Sequence, residues 1–175
     1  MAPHIIDEEE WAKLRDMRLA ALHESPTAFL SSYSEESAYE EREWRAEFVR
    51  GEWILEIRND EAIALVGVTQ EQSTPPDEYY LEYMWVSPCF RRHGVATALI
   101  KNVLRWLINR GFATIWVWVL DGNEPAKRLY EKCGFTSTRL IQNPHRSPSR
   151  SEELMSLTFR QLCPLVNIQP RRPAR

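Results

Sequence analysis

Residues 78–134 carry the pattern that most restricts how this chain can fold. "EYYLEYMWV" is a short apolar run rich in strand formers, and the basic loop "SPCFRRHG" after it ends on one glycine. Gly94–Arg110 then places Val95, Leu99, Val103 and Leu107 at helical spacing, and Gly111 follows as a helix stop. "ATIWVWVL" reads as a buried strand. "DGN" then turns the chain into a short helix over about Glu124–Cys133, which Gly134 stops. Two strands, "FTSTRLIQ" and "EELMSLTFR", close the chain around the loop "NPHRSPSRS".

Upstream, "EEEWAKLRDMRLAAL" (Glu8–Leu22) has Trp11, Leu14, Met17 or Arg18, and Ala21 or Leu22 at helical spacing, with acids in its first turn. Pro26 disfavours helix at Ser25. A second, very acidic helix is predicted over Ser34–Arg50, with Gly51 at its C-terminal end. "EWILEIRND" and "EAIALVGVTQ" form a strand pair around an Asn59-Asp60 turn, and Pro75-Pro76-Asp77 marks a loop. Helices, an antiparallel set of strands, then β-α-β-α and two strands make a mixed α/β or α+β fold. No linker divides the chain, so residues 1–168 read as one domain and 169–175 as a frayed tail.

A length of 175 residues allows one ordinary domain with a sizeable core. Cys89, Cys133 and Cys163 are an odd number at wide spacing, which is no disulfide framework and suits a reducing cytoplasm. The four histidines make no metal-ligand spacing with them. The start "MAPHIIDEEEW" is not read as a signal peptide, and no apolar run approaches the roughly 20 residues that span a membrane. A cytoplasmic protein without metal is expected. Within a net charge of −3, residues 1–60 carry −8 and residues 61–175 carry +5. One half would favour a polyanion and the other a cation.

The basic loop with its glycine is a candidate anion site. The first N–H groups of a helix lack intrahelical partners, and the helix dipole adds partial positive charge there. Gly94 and Ala96 allow a ligand close to the backbone, Arg91, Arg92 and His93 add positive potential, and Thr97 offers a hydroxyl. The glycines of the dinucleotide fingerprint and the Gly-Lys-Ser/Thr of the P-loop are absent.

Arg91-Arg92-His93-Gly94-Val95-Ala96 resembles the R/Q-x-x-G-x-G/A motif of the GNAT acetyltransferases, set as there between a strand and an amphipathic helix. Asn123-Glu124-Pro125-Ala126-Lys127-Arg128-Leu129-Tyr130-Glu131-Lys132-Cys133-Gly134-Phe135 resembles that family's N-x-x-A-x-x-x-Y-x-x-x-G-F block. The likeness is sharp over about residues 78–136, and upstream only the layout matches. Arg92 and Ala96 stand where many members have glycine. The resemblance implies a mixed central sheet of about six to seven strands with helices on both faces, and acetyl-CoA as co-substrate. Its pyrophosphate would meet the backbone N–H groups of Arg92 to Thr97, Val95 included, with the Arg91 and Arg92 side chains nearby. Its pantetheine arm would lie along Met84, Trp85 and Val86, where parallel strands splay.

Acetyl transfer to an amine needs a neutral amine, a donor for the oxyanion and a proton for the leaving thiolate. An alkylamine with a pKa of about 10.4 is mostly protonated at neutral pH, so a base or water chain helps. The resemblance points to Tyr130 as the acid; it lies seven residues after Asn123, about two helical turns on. Asn123 caps its helix, bonds the pantetheine, or does both. Glu82 is the base candidate, and equally a paired surface glutamate. Cys133, beside Gly134, reads as a small buried residue rather than an acetyl carrier, which favours direct transfer in a ternary complex.

The acceptor is expected on the acidic N-terminal side, where Phe29, Ser31 and Tyr33 join Glu82 as substrate-binding candidates. Acids with interleaved aromatics there would hold a cationic amine. A small-molecule amine is the first reading. A protein lysine or N-terminus is the alternative, and a domain that binds acetyl-CoA without turnover is the third. Negative total charge and the lack of an RNP-type aromatic pattern argue against nucleic acid. The resemblance also allows a homodimer, for which "CPLV" (163–166) would be one contact.

Overall fold

In the computed structural model, residues 4–70, 78–144 and 147–159 are described. The Pro75-Pro76-Asp77 loop, His145, Cys163, the "CPLV" stretch and the 169–175 tail lie outside them. The elements are β1 (His4–Ile6), α1 (Trp11–Glu24), α2 (Tyr33–Glu36), α3 (Glu41–Arg50), β2 (Gly51–Arg58), β3 (Glu61–Thr69) and β4 (Tyr80–Val86), followed by α4 (Val95–Asn109), β5 (Thr114–Leu120), α5 (Glu124–Lys132), β6 (Thr136–Gln142) and β7 (Glu152–Thr158). The strands form one seven-stranded sheet in the order β1-β2-β3-β4-β5-β7-β6. Only β4 and β5 pair in parallel.

Strand alternation divides the core in two. Trp53, Leu55, Leu65 and Trp85 meet Leu14, Met17 and Ala21 of α1 and Trp44 of α3. On the other face, Ile54, Val66, Val68 and Val86 meet α4 and Tyr130 of α5. Helix α4 buries Val95, Leu99, Ile100, Val103, Leu104 and Leu107. Each such side chain contributes roughly 1.5–3 kcal/mol relative to exposure. The mixed sheet with helices on both faces is thus as expected.

One local expectation changes. The acidic helix breaks into α2 and α3. Ser32 caps α2, and the reciprocal bonds between Glu40 and Glu43 start α3 afresh. Buried Glu36 of α2 is paired with Arg18 of α1, which holds this turn against the core. Gly51 does follow the last residue of α3, as expected, with an extended backbone, and it also opens β2. A Cβ there would lie 2.2 Å from the Val68 carbonyl oxygen, so close strand approach demands glycine. Strand β1 carries no expectation from the sequence. The Asn59-Asp60 turn stands as read, with φ of 50° and 63° at its two residues.

Candidate active site

The Cα register of β4 with β5 contains one pair, Tyr80 with Trp116, backed by the Trp116 N–H donating to the Tyr79 carbonyl at 2.9 Å. Beyond it the strands part, and a cleft of about 660 Å³ opens between them. Met84, Val117, Val119, Asn123 and Tyr130 line one end, and Arg18, Phe29, Ser31, Glu47, Arg50 and Glu82 line the other.

A bulge shapes its wall. The β3–β4 register passes from Gly67–Glu82 to Leu65–Trp85 and skips Tyr83 and Met84. Tyr83 has a φ of 56°, a strained value for an aromatic residue. Its ring stacks 4.8 Å from buried Trp53. Trp53 in turn lies on Gly67, where a Cβ would come within 2.5 Å of the indole. Glycine at 67 therefore seats Trp53, which supports the bulged turn of β4.

The candidate anion loop has left-handed backbone at Arg92 (φ 64°) and Gly94 (φ 79°). No protein atom lies within 4 Å of a Cβ built on Gly94, so its φ demands glycine and open space lies beside it. Helix α4 begins at the next residue, and its first-turn N–H groups have no intrahelical acceptor. Arg92, His93 and Gly94 are exposed. The Arg91 side chain points its donors elsewhere. Its Nε donates to the Val86 carbonyl at 2.8 Å, Nη1 to Glu24 Oε1 at 3.0 Å, and Nη2 to Glu24 Oε2. Trp85 Nε1 also donates to Glu24, at 3.2 Å. Arg91 beside Glu24 pulls that carboxyl down to about 2, helped by Ser25 and Trp85. Arg91 thus ties the loop to the end of α1. Trp85 faces the α1-side core and Val86 the opposite one, leaving Met84 as the one of the three whose side chain lines the cleft.

Tyr130 is 5% exposed and packs edge-on against Phe135. Burial pushes its hydroxyl pKa well above the usual range, so it keeps its proton at neutral pH. Asn123 Oδ1 accepts from the Ala126 N–H at 3.3 Å, so the cap is made and the amide N–H groups are what Asn123 has left to offer the cleft. Cys133 is buried and its thiol pKa is raised by burial, the opposite of an activated nucleophile.

At the other end of the cleft, Glu82 pairs with Arg50 at 3.3 Å, and Arg50 also holds Glu47 at 3.0 Å. Desolvation raises the Glu47 pKa. Arg150, just before β7, reaches across to donate to the carbonyls of Phe29 at 2.8 Å and of Thr27. The two rims are bridged there. Phe29, Ser31 and Glu82 line the cleft. Tyr33 does not: its side chain packs on His23, 5.5 Å between centroids, beside a separate shallow depression. The short α2 turns it away once Glu36 is drawn inward to Arg18.

Sequence reasoning passed over Arg18, Glu47, Arg50 and Arg150. Arg18 had a signal, a cation on the apolar stripe of α1. The others come from separate segments and carry no local pattern.

A profile of the acetyltransferase (GNAT) family matches residues 17–135. The chain belongs to the GNAT acetyltransferase family. Over 105 residues it is 29% identical to a [Ribosomal protein bS18]-alanine N-acetyltransferase of Salmonella typhimurium, covering 60% of this chain and 69% of that one. It is 39% identical over 72 residues to a streptothricin acetyltransferase of Escherichia coli, 41% of each chain. The chain spans only about half, 53%, of the length of a bS18-alanine relative from Haemophilus ducreyi. A Bacillus anthracis structure described as a streptothricin acetyltransferase in complex with acetyl coenzyme A matches with a TM-score of 0.55, at 18% identity over 63% of each chain. These likenesses are to proteins named for both a protein and a small-molecule acceptor. Among the described residues, no group of three His, Cys, Asp or Glu side chains could hold a metal ion, and no helix is long and apolar enough to cross a membrane.

Proposed function

We propose that this GNAT chain moves an acetyl group from acetyl-CoA to a primary amine by direct attack in a ternary complex, and that the amine belongs to a small molecule. The observation that carries it is one cleft, opened by the splayed β4 and β5, with buried Tyr130 and half-buried Glu82 on its walls. The residues fit the co-substrate. Unpaired strand edges suit an extended arm, and the left-handed Gly94 before α4 leaves open space for an anion.

When bound, acetyl-CoA supplies an activated acyl carbon and a thiolate leaving group. The backbone N–H groups from Arg92 to Thr97 hold the anionic end, and the Asn123 amide donates toward the arm. Glu82, directly or through water, takes a proton from the amine, while Arg50 orients it. Tyr130, kept neutral by burial, gives its proton to the leaving sulfur.

Two features support a small amine. The Arg150 bridge closes the groove at one rim, so an acceptor enters end-on, and the wall charge suits a cation. A protein N-terminus is the second reading, favoured by the relatives named for ribosomal-protein alanine. Thiol release from acetyl-CoA, screened over polyamines, aminoglycosides, amino acids and short peptides, separates the two. Stimulation by small amines supports the first and by peptides alone the second. Acetyl-CoA binding with no stimulation by any amine reduces the chain to a binding domain. The chain is expected in the cytoplasm.

A further inference from the structure

Arg18 is 2% exposed, yet it lines the acceptor side of the cleft. Its Nε and Nη2 donate to the two oxygens of Glu36 at 2.9 and 2.8 Å, and both partners are buried. The rings of Tyr83 and Phe29 lie 3.7 and 4.6 Å from its guanidinium carbon. Glu36 occupies one edge and aromatic rings cover the group, so the corner left over is Nη1. Among the described residues, that nitrogen has no hydrogen-bond partner. A buried donor without an acceptor costs roughly 1–3 kcal/mol, more when charged, and natural proteins rarely leave one without reason.

The charges around it say what kind of oxygen it can take. Arg18 and Glu36 neutralise each other. Arg50 faces Glu47 and Glu82, and Glu152 also lines the cleft, so the lining carries more carboxylates than guanidinium groups. A protonated amine suits that excess. A carboxylate on the same ligand would work against it and meet Glu47 and Glu82, whereas a neutral carbonyl oxygen would complete Arg18 without adding negative charge.

We infer that Arg18 Nη1 is the anchoring donor of an acceptor subsite, and that the acceptor is an amine bearing a neutral amide carbonyl rather than a carboxylate. This rests on the proposed acetyl transfer only for the ligand's being an amine. The shared chemistry is that of an amino-acid amide and of a peptide's first residue. The Phe29 and Tyr83 rings hold the guanidinium flat, so Nη1 presents its donors in a fixed direction.

Binding and turnover are to be measured separately, on the protein saturated with coenzyme A for calorimetry and with acetyl-CoA for thiol release. The probes are glycinamide, glycine and ethylamine, compared per neutral amine in the rate assay. Glycinamide is expected to bind at least tenfold tighter than either. Equal affinities, a preference for glycine, or no resolvable binding of glycinamide would overturn the anchor. A fourth probe, glycylglycinamide, distinguishes the sources: tighter than glycinamide points to a chain terminus, weaker to a small amide.

The double variant Arg18→Met/Glu36→Gln removes the pair without stranding a charge. It should abolish the glycinamide preference while leaving coenzyme A affinity unchanged. Retention of the preference by the folded double variant contradicts the assignment. Should that variant not fold, the four wild-type affinities decide alone. If the affinity order holds and no thiol is released, the anchor stands and the acetyl-transfer reading falls.

Discussion

Glu24 is the residue whose surroundings make the clearest titration forecast. Its carboxyl is depressed from 4.5 to about 2, first by the bond from Arg91. A carboxyl lowered in the folded state stabilises fully above its unfolded pKa and loses that contribution as pH falls through the folded one. The tie between α1 and the anion loop should therefore weaken between about pH 4.5 and 2. Melting temperature followed down that range should drop more steeply for the wild type than for Glu24→Gln, and parallel curves would contradict the role given to this pair. Gly67 makes a second residue-scale case. A methyl there meets the Trp53 ring, which is fully buried and backed by Tyr83, so the ring has little room to yield. Gly67→Ala should cost about 1–3 kcal/mol in denaturant unfolding, as overpacking does. A loss within error would mean that the Trp53–Tyr83 stack moves freely. Single residues were unevenly legible in the sequence. Gly94, Asn123 and Tyr130 stand out through the motifs of the family that the chain resembles, whereas the partner of Arg91 is Glu24, far upstream, and no local pattern announces it.

At the scale of elements, the Arg150 bridge makes the most specific claim. One side chain before β7 donates to two carbonyls between α1 and α2, and so joins the two rims of the acceptor groove. Arg150→Ala should raise kcat/KM for bulky amines relative to small ones by several-fold, mainly through KM, with acetyl-CoA affinity unchanged. An identical selectivity ratio would show that the bridge does not shape access. Elements defined by local chemistry were readable in advance. The Asn59-Asp60 turn needs two left-handed residues, and Asn and Asp accept that conformation best after glycine. Helix α4 announces itself by its apolar stripe and Gly111. The break between α2 and α3 was not readable, because the burial of Glu36 against Arg18 is a tertiary bond in an otherwise helical acidic run. The bulge in β4 was hidden likewise, since its cause is Trp53 stacked on a neighbouring strand.

The two halves of the whole molecule contribute different walls of the cleft. The C-terminal half supplies β4, α4 and α5, and with them the candidate anion loop, Asn123 and Tyr130. The acidic N-terminal half folds over the other sheet face and brings Arg18, Phe29, Glu47 and Arg50 to the other end of the cleft. Between them, the single parallel pair parts after Tyr80 and Trp116 and leaves the cleft. The order of elements indicated a mixed sheet. The resemblance, not the residue pattern, supplied the splay, because strand divergence depends on how α4 and α5 pack beneath β4 and β5. The central claim is that one cleft joins an acetyl donor to an amine with Tyr130 as proton donor. It is tested most directly by amine-dependent thiol release from acetyl-CoA, compared between the wild type and Tyr130→Phe alongside acetyl-CoA affinity. The account predicts release that an amine stimulates, and a fall of about 10²–10⁴-fold in turnover in the variant with affinity nearly unchanged. Full turnover by Tyr130→Phe, or no amine-stimulated release from a wild type that binds acetyl-CoA, would contradict it.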